Sequence, residues 1–374
     1  MQDRNSEHKT ISGGVNCCLF IDQNDRVILT GRSMLTLGNF FKPTLLENAP
    51  PAVSVSAGVS HSILLDTEQR IWTFGANTFG QLGIGNSESK NGQINLITNL
   101  PPIQSIFASP YSHSLALDIH GGVWACGNNN YGQLGFGNVK GYKLFTKIES
   151  LPRIKSIATG TWSSIFLDEE GSVWASGFNG NGELALPSGL KHSLSPTKIE
   201  GLPPISAIYA KKTCPLFLDV DGGVWMSGEG FRQFGFANIP PSTGGPMKIP
   251  NLPAIRSFAA GYCHLELLDV DFNVWTIGTS ANGQTGSATV STFLQKLETI
   301  LLRVINIECC AYFTVFQCED DSIWVCGENT CGQLGISGFS GANATTPTIS
   351  CEFVKIKYRT LENGSRTKSA RNVR

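Results

Sequence analysis

Short apolar runs, broken at regular intervals by turn residues, fill this chain, and no stretch holds a helical rhythm over a useful length. Residues 62–66 (SILLD) are apolar and stop at Asp66, where the polar turn Asp66-Thr67-Glu68-Gln69 begins. Residues 71–74 (IWTF) are β-branched and aromatic, which suits a second strand. Gly75 breaks that strand, and Asn77, Gly80 and Gly83 mark a compact loop. A variable stretch follows, and Leu-Pro-Pro-Ile at 100–103 announces the next strand pair. Each such unit offers about four short strands.

The unit repeats. Trp72, Trp124, Trp174, Trp225, Trp275 and Trp324 follow one another at gaps of 52, 50, 51, 50 and 49 residues. Five carry an Asp six residues earlier (Asp66, Asp118, Asp168, Asp219, Asp269), and all six carry a Gly three residues later. A weaker copy opens the chain, with Asp22, then Ile28 at the Trp position, then Gly31. A fixed period of this size identifies an array. A lone four-stranded sheet leaves both faces wet. Set radially, each sheet covers its neighbour, and bulky Trp fills the space between them. The pattern therefore predicts an all-β fold, a seven-bladed β-propeller of four-stranded blades. An open solenoid would need polar capping repeats. Residues 11–21 are instead largely apolar and 353–358 alternate like a strand, so the ring is expected to be closed by pairing of the N- and C-terminal strands. The propeller is assigned to 10–358, with a flexible N-terminus at 1–9. A disordered basic tail at 359–374 sets Arg359, Arg366, Lys368, Arg371 and Arg374 against Glu362.

Composition narrows the function classes. Net charge is −1 and only 15% of the 374 residues are charged, so nucleic-acid binding is not expected beyond weak contact through the tail. No apolar run reaches the length of a membrane span. The opening MQDRNSEHKT is polar and leads into no apolar core, so no secretory signal is expected. Eleven Cys are scattered without a C-x-x-C pair, which fits reduced thiols in a cytoplasmic or nuclear protein. A monomer without metal or cofactor is expected, and no hydrolase triad is visible.

The runs Ala57-Gly58-Val59-Ser60-His61, Gly75-Ala76-Asn77-Thr78-Phe79-Gly80-Gln81-Leu82-Gly83 and Cys331-Gly332-Gln333-Leu334-Gly335 resemble the regulator-of-chromosome-condensation repeat family over roughly 11–358. The resemblance implies a seven-bladed propeller. It leaves activity open, because that family includes a Ran nucleotide exchange factor, a plant UV-B photoreceptor and propellers attached to ubiquitin ligases or kinases. In the exchange-factor branch, acidic residues between the repeat Gly and His help displace nucleotide, and a wedge-like insertion enters the GTPase. Here those loop positions are Val15/Asn16, Val59/Ser60, Tyr111/Ser112, Thr161/Trp162, Lys212/Thr213, Tyr262/Cys263 and Ala311/Tyr312, none of them acidic. Only Trp162 offers a Trp in such a loop, which argues against light sensing.

His61, His113 and His264 share one repeat position, where other copies carry Cys17, Ser163, Cys214 or Phe313. Spread over different blades, they read as structural hydrogen-bonding groups rather than a metal or catalytic cluster. The strand-ending Asp reads as a turn former, and the Gly-rich loops as tight turns, since no Lys-Ser/Thr follows them. The loops before these His positions emerge on one face and carry Tyr111, Trp162, Lys211, Lys212, Tyr262 and Tyr312. Aromatic rings with Lys suit an anchor surface for a protein partner. The first reading is a non-enzymatic protein–protein interaction platform. The alternative is a guanine nucleotide exchange factor for a Ran-like small GTPase. The partner is expected to be a small GTPase or a ubiquitin-pathway protein, and a third reading makes the chain the sensing propeller of a ligase or kinase pathway, working in trans.

Overall fold

A computed structural model describes residues 10–356, except 33–38, 90–91, 187–188, 212–213, 229, 237–244, 287–290, 299–302, 321 and 337–348. The segments 1–9 and 359–374 lie outside the described residues. Seven four-stranded antiparallel sheets follow one another along the chain. Blade 1 comprises Ile11–Gly13, Cys17–Ile21, Val27–Arg32 and Asn39–Leu45. Blade 2 comprises Ala52–Ala57, His61–Asp66, Ile71–Gly75 and Asn95–Ile97. Blades 3 to 6 span 103–147, 154–198, 205–248 and 255–296, and blade 7 ends with Ile323–Glu328 and Ile349–Ile356.

The ring is not closed by strand pairing. Every sheet is built from four consecutive strands. Ile11–Gly13 pairs with Cys17–Ile21 in its own blade, and Ile349–Ile356 pairs with Ile323–Glu328 in its own. The reason lies in the first copy. Although Ile28 replaces its Trp, it still supplies an outer strand, Asn39–Leu45. Blade 7 likewise supplies its own, so neither terminus has a sheet edge left to complete. Packing joins the ends instead. Ile11, Phe20 and Ile28 of blade 1 share one apolar cluster with Phe313, Val315, Val325 and Leu334 of blade 7. Thr30 Oγ1 also donates to the Gln333 carbonyl at 2.8 Å.

The second strand of each blade is sandwiched between two neighbours, which explains its unbroken apolar run. All six residues of His61–Asp66 are buried, as are those of His113–Asp118, Ser163–Asp168, Cys214–Asp219 and His264–Asp269. The six repeat Trp are only half-buried and lean on the edges of the inter-blade clusters. Phe74, Phe166, Phe217 and Phe316 fill the depth of the core instead. The indole N–H explains the six-residue spacing from Asp. Trp72, Trp124, Trp174, Trp225 and Trp275 each donate Nε1–H to the Oδ2 of the preceding Asp at 2.8–2.9 Å. The other oxygen accepts backbone N–H groups that close the turn, as from Glu68 and Arg70 to Asp66. Blade 5 departs from the plan, replacing the usual Gly-rich loop start with a one-turn helix, Gly230–Gln233.

Candidate docking face

In an up-and-down blade, the connection between strands one and two and the connection between strands three and four leave from the same end. The repeat glycine ties these two loops together. Gly75 has φ 108° and Gly177 has φ 113°, and a Cβ there would collide with the Ser60 or Trp162 carbonyl. That close approach is possible only without a side chain. It lets the following residue hold the same carbonyl, as Ala76 N–H does to Ser60 O at 2.8 Å and Phe178 N–H to Trp162 O at 2.9 Å.

On this rim, blades 2 to 4 carry a continuous row of rings. Tyr111 contacts Trp162 edge-on at 6.2 Å between centroids and Phe79 at 6.0 Å. Trp162 in turn meets Tyr131 at 5.6 Å and Phe178 at 5.7 Å, and these two meet each other at 5.1 Å. Phe79 and Tyr111 remain 39% and 46% exposed, so a partner can reach the row. Across the ring, Tyr262 and Tyr312 form a separate edge-on pair at 5.5 Å. Burial raises both phenols above their usual range, and for Tyr262 the neighbouring Tyr312 adds to the effect; both stay neutral hydroxyls at physiological pH. Lys211 ends strand Ile205–Lys211. Lys212 and the side chain of Lys211 lie outside the described residues. Of the six expected anchor residues, the four aromatic ones thus fall into two separate pairs rather than one group. Phe79, Tyr131 and Phe178 escaped the sequence reading. Phe79 and Tyr131 occupy one repeat position, the residue before Gly80 and Gly132, and comparing the copies there would have found them.

The opposite rim is of a different kind. Its turns and strand ends carry ion pairs such as Arg70–Glu68 at 2.9 Å, Arg153–Glu169 at 3.3 Å and Lys248–Asp219 at 3.3 Å.

The three equivalent histidines sit between blades. Ser114 Oγ donates to the Gln81 carbonyl at 2.7 Å, so it accepts from His61 Nε2–H at 3.0 Å. His113 reaches Ser164 at 3.2 Å, and His264 reaches Thr314 at 2.9 Å, by the same plan. One hydroxyl hydrogen serves the carbonyl, which leaves the imidazole as the donor. Burial drives His61 down to about 4 and His113, also repelled by His61, to about 3. Both are neutral at pH 7, and none of the three points at the rim surface.

An axial cavity of about 30 Å³ opens among the rim loops, lined by Gly14, Gly58, Pro110, Tyr262 and Ala311 among others. That is room for about one water, far less than a nucleotide. Among the described residues no group of three or more His, Cys, Asp or Glu is placed to hold a metal ion. No helix among them is long and apolar enough to cross a membrane. The rim presents broad apolar rings backed by a hydrogen-bonded ring of sheets.

Comparison with known proteins agrees with this architecture. Models described as the Regulator of chromosome condensation (RCC1) repeat match residues 68–117 and 120–167, and a second model of that description matches 52–81 and 103–133. The chain thus carries RCC1-type repeats over residues 52–167 and has the seven-bladed propeller fold. It is 26% identical over 318 residues to the Drosophila melanogaster Regulator of chromosome condensation, covering 77% of this chain and 56% of the fly protein. It is 27% identical over 316 residues to the human Probable E3 ubiquitin-protein ligase HERC6, covering 79% of this chain and 29% of that one. The chain thus spans little more than half, or less, of the length of these relatives. The crystal structure of Prp20p from Saccharomyces cerevisiae, a study that also treats that protein's binding to Gsp1p and histones, superposes with a TM-score of 0.77 at 22% identity. It covers 91% of this chain and 88% of Prp20p.

Proposed function

We propose that this propeller is a regulator of a Ran-like small GTPase and docks it on the aromatic rim of blades 2 to 4. The row Phe79, Tyr111, Trp162, Tyr131 and Phe178 carries the reading: it is contiguous, partly exposed and held on loops that the repeat glycines fix in place. Large rings of this kind supply most of the energy in protein interfaces. The match along 77% of the chain to a Regulator of chromosome condensation favours a GTPase partner, and with it nucleotide exchange, over a scaffold of unspecified partner. Docking and exchange are separable here, because the loops before the His positions carry no acid. A ubiquitin-pathway partner is the second reading, supported by the match to HERC6. A Ran-directed role would place the protein in the nucleus for at least part of its life.

The test is capture and nucleotide release with a purified Ran-type GTPase. The chain should bind it, and a Tyr111→Ala/Trp162→Ala variant should bind at least about 30-fold more weakly while keeping its melting temperature. Faster release of a fluorescent guanine nucleotide would establish exchange, and binding without release would leave the docking reading alone. Absence of binding in either nucleotide state would sink the proposal.

A further inference from the structure

Three inter-blade seams are locked by an imidazole that donates to a hydroxyl on the next blade. The seam joining blade 7 to blade 1 cannot use that lock, since Phe313 stands at the imidazole position and Cys18 at the hydroxyl position. Blade 7 departs a second time. Cys310 stands where blades 1, 2, 4 and 6 carry Gly14, Gly58, Gly160 and Gly261. These departures bring two sulfurs together. Gly13 is the register partner of Cys18, and a Cβ on Gly13 would collide with Cys310 Sγ. The blade 7 sulfur therefore fills the space of the missing Gly13 side chain, directly beside Cys18. Both cysteines are fully buried, belong to one apolar cluster and are free thiols in this structure. Burial, and then contact with Cys310, push the Cys18 thiol well above its ordinary value, so the closed seam keeps it protonated and unreactive.

We propose that Cys18 and Cys310 are a latch pair, which forms a disulfide across the ring seam when a glutathione-disulfide couple is oxidising enough. The step balances. When the seam opens locally, one cysteine thiolate attacks a sulfur of glutathione disulfide and releases one glutathione thiolate. The second cysteine then displaces the remaining glutathione from the mixed disulfide. Two electrons pass from the cysteine sulfurs to glutathione disulfide, and the two thiol protons end on the released glutathiones. The seam is where such a bond has most to add. The chain runs from blade to blade across the other six seams but not across this one, and the link would close a loop of 292 residues (310 minus 18), which restricts the unfolded chain strongly.

The test uses the full chain, folded, incubated with glutathione disulfide, then alkylated, digested and mapped by mass spectrometry. A Cys18–Cys310 peptide pair should appear about 2 Da lighter than the two reduced peptides combined. The linked protein should unfold roughly a hundredfold less readily, and dithiothreitol should undo this. Cys17→Ser should retain both effects, whereas Cys18→Ser and Cys310→Ser should lose them. The proposal is overturned if the linkage is absent from the folded chain or forms only after global unfolding. A Cys17–Cys310 link, a persistent glutathione adduct, or a linked protein no harder to unfold would overturn it equally. Should the serine variants fail to fold, the unsubstituted chain's linkage map and unfolding rate decide alone.

Discussion

Mild acid should loosen this ring through its inter-blade histidines before it reaches the carboxylates. His61 and His113 each donate one ring hydrogen to a hydroxyl of the following blade, and their Nδ1 atoms are buried without a partner. A second proton on either ring would place a charge in a dry seam. Burial sets the folded values at about 4 and about 3, against 6.5 for an ordinary imidazole. Between these values the unfolded chain binds more protons than the folded one, so stability falls as pH drops below 6.5. At pH 5 an unfolded imidazole gains a factor of about 30 from protonation while the folded ones gain almost nothing. The cost is about 2 kcal/mol for each, or about 4 kcal/mol for both.

Two other sets of groups must be kept apart from this effect. For Asp66, Asp118, Asp219 and Asp269, burial alone would raise the carboxyl, but the indole and backbone N–H groups outweigh it and hold the value below 3.8. Their contribution is intact at pH 5 and is lost only as pH falls through those lower values. Glu266 has the opposite sign, since burial raises it well above 4.5. Its folded form keeps a proton that the unfolded chain releases, so it costs stability as pH rises. The clean experiment is therefore a Glu266→Gln background, with and without His61→Gln and His113→Gln. Gln can still donate to Ser114 and Ser164 but cannot titrate. Urea unfolding between pH 8 and pH 5, followed by Trp fluorescence, should show the background losing about 4 kcal/mol more than the double variant. Equal pH dependence in the two proteins would refute the neutral-lock argument.

The remaining expectations concern single groups. Glu266 stands where the other blades place Leu19, Ile63, Leu115, Ile165, Leu216 and Val315, and only Thr276 Oγ1 donates to it, leaving Oε2 buried and unsatisfied. Glu266→Gln should therefore raise stability at pH 8 by at least about 1 kcal/mol in urea melts, and a loss there would mean that the carboxylate is ionised and well partnered. Asp219 holds the Trp225 indole and the N–H groups of Asp221 and Gly223. Asp219→Ala should cost about 2–3 kcal/mol in the same assay, more than Trp225→Phe, because it orphans three donors rather than removing one. Equal costs would reassign the spacing to ring packing. The GTPase capture and the seam disulfide stand as the two functional expectations.

Much of the ring was legible because each blade solves the same local problem with the same residues. Asp and Trp recur six apart since one carboxylate must cap a turn and hold an indole, and Gly recurs three after Trp because a carbonyl presses against its Cα. What joins one blade to the next was harder to read. His61 and Ser114 lie 53 residues apart, and no spacing within a single copy points from one to the other. The same blindness misled the closure: 353–358 alternates like a strand, but which edge a strand completes depends on whether the first copy builds its own outer strand. The aromatic rim was half visible, since Tyr111 and Trp162 lie in the loops before the His positions, whereas Phe79, Tyr131 and Phe178 lie in the loops after the repeat Gly, which read as tight turns. The two copies that meet at the closing seam have each lost part of the pattern. Blade 1 has no indole for Asp22, and blade 7 has Cys318 in place of Asp, so Trp324 donates to Ser322 Oγ instead. Internal copies are joined by the chain to a sibling on both sides. Copies 1 and 7 meet without a chain connection. Phe313, Cys17, Cys18 and Cys318 stand at positions that are polar in other copies, Cys310 replaces a glycine, and all five are buried. Drift confined to decoration would leave such positions polar and wet. Here each lost polar group is matched by apolar or sulfur packing, which holds the seam together with the hydrogen bond from Thr30 to the Gln333 carbonyl.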